Sequence, residues 1–398
     1  MNLIEPILAD VELIQRIRRD IHAHPELRFE EHRTAGVVAS CLRDWGIPVI
    51  EGLGGTGVVG IIENGPCDRA IGLRADMDAL PMQEHNTFAH ASRYEGKMHA
   101  CGHDGHTAML LAAARHLSRH RPAGTVYLIF QPAEEGGAGA QRMIEDGLLE
   151  RCPMKAVFGM HNWPGMPVGH FGLTPGPMMA SSNEFEITIT GKGTHAALPH
   201  LGNDPVMAAV QLAQSIQTIV TRNKKPIDAA VISITQIHAG SAYNVVPDDA
   251  VLRGTVRTFT LEVLDLIERR LGELCAGMAQ AFDLSINLRF KRNYPPLIND
   301  AASAAFCAQV LREMVGAEQV NAAIEPTMGA EDFAFMLQAL PGCYVFAGNG
   351  DGEHRDHGHG LGPCMLHNPS YDFNDALLPI GASYWVRLVD AWFKGRSE

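Results

Sequence analysis

Apolar residues near the start of the chain recur at helical spacing. Leu13, Ile17 and Ile21 fall four apart, and residues 1–45 read as helices. The pattern then changes to short apolar runs. Val58–Ile62 and Ala70–Asp76 predict buried strands, Thr107–His120 a helix rich in Ala, Met and Leu, and Thr125–Phe130 a strand. Ala140–Gly147 predicts a further helix and Ala156–Met160 a further strand. Strands alternating with helices predict an α/β fold, with a mixed, mostly parallel sheet covered by helices on both faces.

After about Ser182 the order is different. Glu184–Thr190 alternates as a half-buried strand does, and Asp204–Arg222 is a long amphipathic helix with Pro205 in its first turn. Ala230–Ile237 and Val251–Phe259 read as strands, Leu261–Phe282 as a second long helix and Ser285–Phe290 as a last strand. This β-α-β-β-α-β order predicts a ferredoxin-like four-stranded sheet backed by two helices. Segments rich in Gly, Pro and Ser flank it, Thr174–Ser182 and Tyr294–Asp300, and they read as hinges. From about Asn299 the mixed pattern resumes. The expectation is therefore a small domain, 184–297, inserted between two parts of a larger one, 1–183 and 298–398.

Composition narrows the class. At 398 residues the chain is long for a single core, which agrees with two domains. Hydrophobic residues make up 46% and charged residues 19%, the balance of a folded rather than disordered chain. Forty-five acidic residues against 32 basic ones leave a net charge of −13, which argues against a nucleic-acid partner. The eight cysteines (41, 67, 101, 152, 275, 307, 343, 364) are scattered and form no CxxC pair, the pattern of reduced thiols in a cytoplasmic protein. The first residues mix charges into every turn without a signal-peptide core, and no run of 18 apolar residues suggests a membrane span.

Chemistry concentrates in Met98-His99-Ala100-Cys101-Gly102-His103-Asp104-Gly105-His106. Three imidazoles and a thiol fall within nine residues. Thiolate and imidazole are ligands that a soft or borderline divalent metal prefers, and the glycines permit a tight turn. In Leu73-Arg74-Ala75-Asp76-Met77-Asp78 the two aspartates lie two apart and share one strand face, at the end where parallel sheets carry their sites. An Asp-rich turn before Pro81 is the plainer reading of that segment. The run Val126–Phe130 ends near the doublet Glu134-Glu135, followed by glycines that free the backbone. The doublet reads either as a solvated turn or as two carboxylates serving one site, one on a metal and one on a proton. His161, just past a strand, and His367, in a turn-rich segment, are each more often structural when taken alone. In the inserted domain, His195 follows Gly191-Lys192-Gly193-Thr194, Asn244 opens Asn244-Val245-Val246-Pro247, and Arg257 ends a strand where its planar fork suits a carboxylate. An exposed edge arginine is the simpler reading of Arg257.

The order of motifs says more than any one of them. RADMDAL, MHACGHDGHTAMLL, QPAEEGGAGA, GMHNWPG, GKGTHAALPH, NVVPDDA, MGAEDFAF and LHNPSYDFND together resemble the M20 family of metallo-amidohydrolases and peptidases. The nearest subgroup contains hippurate hydrolase and the N-acyl-amino-acid and auxin-conjugate amidohydrolases. The resemblance covers nearly the whole chain. It implies a dinuclear-metal exopeptidase-like fold with an inserted lid and dimerisation domain. It also implies two divalent metal ions per subunit, Zn2+ or Mn2+ with Co2+ or Ni2+ as alternatives, held by Cys101, His103, Glu135, His161 and His367. Glu134 takes the place of the family's general base and Asp78 that of the aspartate orienting a ligand. Asp76 stands where many members carry a histidine ligand, a task that falls to Cys101 in this subgroup. His195 corresponds to a histidine that stabilises the tetrahedral intermediate, from the partner subunit in some relatives. Asn244 and Arg257 match positions that hold the substrate's carboxylate.

The implied activity is hydrolysis of small N-acyl or N-aroyl amino acids by a homodimer or higher homo-oligomer, with neither a membrane nor a nucleic acid as partner. A dipeptidase or aminopeptidase is the alternative, and a metal-free scaffold of the same fold a third. Two further histidine-rich stretches, Glu353–His359 and His22-Ala23-His24-Pro25, are expected to be a surface loop near the site entrance and a structural helix end, respectively.

Overall fold

Side chains on neighbouring positions of a strand point to opposite faces, so a strand buried at every position lies in a sheet covered on both sides. Ile71–Asp76 and Thr125–Gln131 are such strands, as is Gly342–Gly350. The computed structural model describes residues 1–65 and 69–394. Its strands in the large sheet are β1 (Val49–Leu53), β2 (Gly57–Glu63), β3 (Ile71–Asp76), β4 (Thr125–Gln131), β5 (Ala156–Pro164), β6 (Phe171–Gly172), β7 (Val320–Asn321) and β8 (Gly342–Gly350). They lie in the order β1-β2-β4-β3-β5-β8-β6-β7. The centre, β4-β3-β5-β8, is parallel throughout, while β1, β2 and β6 add antiparallel pairings. The fold is thus mixed α/β around a mostly parallel sheet.

The chain divides into two compact units. The first takes Met1–Gly176, Ile298–Glu325 and Phe335–Glu398, and the second takes Pro177–Leu297 and Pro326–Ala334. The breaks at 176 and 297 fall within the two Gly/Pro/Ser-rich segments. Pro326–Ala334 groups with the second unit, although the sequence assigns it to the larger domain.

In the first unit the sheet packs with helices Val11–Ala23, His32–Asp44, His103–Arg119, Ala301–Val315 and Leu377–Lys394. The helix beginning at His103 starts four residues before the expected Thr107. Its N-terminal flank is Gly102 with φ 92°, and Gly105 sits in its first turn where a Cβ would come within 2.2 Å of the Phe373 ring. Glycine's low helix propensity hides such a start from periodicity alone.

The second unit is a four-stranded antiparallel sheet in the order 230–239, 249–258, 182–190, 285–294, with helices Pro205–Thr218 and Leu261–Phe282. Phe185, Ile187 and Ile189 alternate onto the helix-covered face with Leu212, Ile216, Leu264 and Leu271. Asp204 and Thr260 cap the two helices, accepting N–H groups of Val206 and Val263. The expected helix to Arg222 ends in α form at Thr218 and continues as a π turn, Ile219–Asn223.

The cysteines other than Cys67, which lies outside the described residues, carry free thiols. Among the described residues no helix is long and apolar enough to cross a membrane.

Candidate metal centre

The sheet register sets the site. Asp76 at the end of β3 is the register partner of Gln131 on β4, and Arg74 pairs with Gly159 on β5. Asp76, Gln131 and His161 therefore stand at one level, and the loops after them carry Asp78 and Glu134-Glu135. Such a cleft beyond the carboxyl ends of parallel strands is where α/β sheets hold their ligands.

Cys101 and His103 are presented by the turn into the 103–119 helix. At Gly102 a Cβ would lie 2.3 Å from Asn162 Nδ2 and 2.5 Å from the Tyr371 hydroxyl, so no other residue fits there without rearrangement. Asn162 Nδ2 donates to Cys101 O at 2.6 Å, and the Tyr371 hydroxyl donates to Asn162 Oδ1 at 2.8 Å. His103 Nδ1 donates to the backbone oxygen of Asp78 at 2.8 Å. That fixes its tautomer and leaves Nε2 to face the site. Among the described residues Nε2 is buried without a hydrogen-bond partner, and an Asp76 oxygen stands 3.8 Å away. His161 Nδ1 donates to Asn162 O at 2.6 Å, which turns its Nε2 to within 3.4 Å of Cys101 Sγ.

The acidic doublet is held from behind. The Asp78 carboxylate accepts the N–H of Glu134 at 3.0 Å and that of Glu135 at 2.9 Å. His367, with φ 60°, donates its own N–H to Ala100 O at 2.8 Å and brings Nε2 to 3.1 Å from Glu135 Oε1.

Three donor sets are built wholly from the expected ligands and Glu134, each with one ligand atom per residue and all atoms within 4.8 Å of one another: Cys101, His103 and His161; Cys101, Glu135 and His367; His103, Glu134 and Glu135. The sets overlap, so one pocket gathers the five residues expected as ligands together with Glu134.

Electrostatics favour cations in this pocket. Burial pushes the Cys101 thiol well above its ordinary range, and the carboxylates of Glu135, Glu134 and Asp76 add to this. Burial opposes charge on His103, but Asp76, Asp78 and Glu135 outweigh it and hold the ring protonated up to about 10. Burial, and after it the neighbouring His106 ring, holds His161 well below the usual histidine range. A buried pocket this rich in carboxylates, holding protons on a thiol and an imidazole, exchanges those protons for a divalent cation. The orphaned His103 Nε2 and the thiolate, imidazole and carboxylate donors fit such an ion.

Asp76 and His106 also lie within 4.8 Å of His103, yet their atoms are otherwise engaged. Asp76 takes Arg74 Nη1 at 2.7 Å and His106 Nδ1 at 2.6 Å. His106 Nε2 accepts the Asn162 N–H at 2.9 Å. Both groups brace the site. Arg74 and Asn162 are braces that motif reading passed over, though Arg74, two residues before Asp76 on one strand, shares its face and could have been found so. His99 is buried and joins none of the donor sets; burial pushes it down to about 4, so it is neutral.

Residues 72–391 match the model of peptidase family M20/M25/M40. The chain belongs to this family. Hippurate hydrolase of Campylobacter jejuni is 41% identical over 394 residues, which cover 99% of this chain and 100% of that one. N-acetyl-L-cysteine deacetylase of Bacillus subtilis is 40% identical over 382 residues, 94% of this chain and 88% of its own. Among solved structures, the YXEP protein of Bacillus subtilis, a dinuclear metal binding peptidase from the M20 family, superposes with a TM-score of 0.82 at 33% identity, over 97% of this chain and 99% of that one.

The remaining candidates of this M20 chain lie in the second unit. His195 and Asn244 are brought together: Ala196 N–H donates to Asn244 O at 3.0 Å, and His195 pairs with Val245 across a two-stranded ladder. Both side chains are exposed. His195 Nδ1 accepts the Ala197 N–H at 3.1 Å, so the neutral ring carries its proton on Nε2. Arg257 is half-buried on strand 249–258, where burial lowers its pKa against the opposing pull of Glu184.

The other histidine-rich stretches are tied up elsewhere. His22 is buried between Asp104 and Glu84, at 2.9 and 3.2 Å. His354 and His359 reach the backbone and carboxylate of Asp372 at 3.3 and 3.2 Å.

Proposed function

We propose that this chain is a metal-dependent amidohydrolase that cleaves small N-acyl or N-aroyl amino acids at the amide bond. The observation that carries the reading is the convergence of the Cys101, His103, His161, Glu135 and His367 donors around one pocket with Glu134 on its wall. The hippurate hydrolase and N-acetyl-L-cysteine deacetylase relatives supply the substrate class.

In this reading the five donors hold two divalent ions. A thiolate favours Zn2+, while the imidazole and carboxylate ligands also suit Mn2+, Co2+ or Ni2+. Bound there, the ions supply Lewis acidity at the scissile carbonyl and make water a nucleophile near neutral pH. Glu134 accepts a proton from the attacking water and delivers it to the departing nitrogen. Asp78 holds His103 in its ligating tautomer and ties down the backbone of the doublet. His195, with its proton on Nε2, donates to the developing oxyanion, and Asn244 and Arg257 hold the substrate carboxylate. The assembly we propose is a homodimer, for which the exposed Ile237 on edge strand 230–239 offers an apolar surface; light scattering on a sizing column tests it.

Chelation followed by reloading with each of the four metals, assayed on hippurate, N-acetyl amino acids and dipeptides, tests the function. Turnover is expected to vanish with chelator, to return with metal, and to favour the N-acyl substrates. Loaded protein that cleaves dipeptides alone makes it a peptidase, and loaded protein that cleaves nothing overturns the hydrolase reading.

A further inference from the structure

Placing the general base in the turn Pro132–Gly139 raises the question of what holds that turn. Ala133 has φ 54°, a left-handed conformation that costs a side-chain-bearing residue energy and persists only where surroundings impose it. Its N–H donates to Glu31 Oε1 at 2.9 Å. The same oxygen accepts the Phe29 N–H at 3.0 Å, and Oε2 accepts the Thr56 hydroxyl at 2.5 Å. The residues around Glu31 close on the same turn. Arg28 Nη1 donates to Glu135 O at 3.2 Å, and a Cβ on Gly137 would sit 3.1 Å from the Phe29 ring.

Glu31 is fully buried, and among the described residues its carboxylate meets N–H and O–H dipoles rather than a cation. Burial first, and then the charge of Asp78, pushes it up to about 7. A turn that needed only one acceptor could use a neutral side chain at lower cost. What the carboxylate adds is two oxygens gathering donors from three separate segments. With Asp78 it forms a continuous row: the N–H groups of Ala133, Glu134 and Glu135, three in succession, all end on buried carboxylates.

We propose that Glu31 is a positioning residue for the reaction, fixing through the Ala133 N–H the backbone that aims Glu134 at the metal pocket. The proposal rests on Glu134 being the general base.

Its test compares Glu31→Ala and Glu31→Gln with the parent holoenzyme. Glu31→Ala is expected to lower kcat about 10- to 100-fold, the range for loss of a supporting hydrogen bond behind a site group, with KM and bound metal unchanged. Glu31→Gln keeps an oxygen for the Ala133 N–H and is expected to restore kcat to within about threefold. Amide hydrogen exchange over residues 132–139 reads the same contact without any substrate: faster in Glu31→Ala and near the parent rate in Glu31→Gln. A parental kcat in Glu31→Ala, a Gln variant as impaired as the Ala variant, or unchanged exchange in the turn each overturns the proposal. A parent that hydrolyses no N-acyl amino acid brings down the functional reading alone, and the exchange rates then decide the role of Glu31.

Discussion

Two buried polar clusters meet at the start of the 103–119 helix, and adjacent residues belong to different ones. His103 faces the donor pocket, while Asp104 faces a second cluster built on Arg18 and His22. In the second cluster opposite charges interleave. Arg18 reaches Asp104, Asp372 and Asp375 at 3.3, 3.1 and 2.8 Å, and His22 lies between Asp104 and Glu84. Burial disfavours charge on His22, but Asp104 and Glu84 outweigh it and raise the ring to about 10. Both nitrogens of His22 have partners. In the donor pocket Glu135, Glu134 and Asp76 crowd the buried Cys101 thiol, and His103 Nε2 has no hydrogen-bond partner among the described residues. Burial alone does not separate a structural cluster from a functional one. The difference lies in charge balance: the second cluster sets Arg18 and His22 among four carboxylates, although Asp104 Oδ1 has no hydrogen-bond partner among the described residues, whereas the donor pocket sets several carboxylates around one buried thiol.

The comparison is sharpest where a substitution should move one property and leave the other. Glu134→Gln preserves shape and removes only a proton acceptor. Turnover on an N-acyl amino acid is expected to fall about 10²- to 10⁴-fold, the usual weight of an acid–base group. Metal content by elemental analysis and the thermal midpoint should stay at parental values. Turnover close to the parent's would remove Glu134 from the mechanism and blur the distinction between the clusters.

Arg18→Met is the converse. It strips the cation from three carboxylates while keeping most of the side-chain bulk. Breaking a buried ion pair from one side costs about 3–5 kcal/mol, because the abandoned charges stay buried. Thermal and urea unfolding are expected to show a loss of this size in the metal-free protein, where ligand binding cannot mask it. An unmoved midpoint would mean that the second cluster does not hold the helix start in place.

Much of the donor pocket was legible in the chain and part of it was not, for physical reasons. Cys101 and His103 announce themselves because a thiol and imidazoles packed into one short turn have no use in a core. His161 and His367 carry no local signal, since one histidine after a strand or in a turn has many uses; the motif series singled them out and only the fold brings them to the thiol. Asp76 was ambiguous because a carboxylate can bind a metal or hold an imidazole. Arg74 and His106 decide it, and His106 lies thirty residues further on. Glu31 could not be found at all. It sits in Phe29-Glu30-Glu31-His32, which reads as a solvated charge run, and its main partner is 102 residues away. At the level of the fold, fully buried strands such as Ile71–Asp76 and the alternating strand Glu184–Thr190 stood out by their patterns. The two-residue strands β6 and β7 and the edge strand β1 did not, because pairing rather than side-chain periodicity defines them.

Glu31 belongs to neither cluster, being a buried carboxylate with no cation partner among the described residues, and its pH dependence tests whether that matters. Its pKa is raised from 4.5 to about 7 in the folded protein, chiefly by burial and then by Asp78. A carboxyl raised on folding binds its proton more tightly in the native state, so its contribution to stability is fully present below about pH 4.5 and is lost as pH rises through about 7. Above that the charged form costs up to about 3 kcal/mol, an upper bound since water and relaxation soften buried charge. Glu31→Gln removes the titration and keeps the acceptor. Measured by unfolding midpoints of metal-free protein, the stability of Glu31→Gln relative to the parent is therefore expected to increase from pH 5 to about pH 7 and to level off above it. The same variant should keep its turnover, so the ionised form is not itself the chemical agent. A flat difference across that range would mean that Glu31 is ionised as easily in the fold as in the open chain, and that dipoles from Phe29, Thr56 and Ala133 compensate its burial as His22 and then Arg18 compensate that of Asp104.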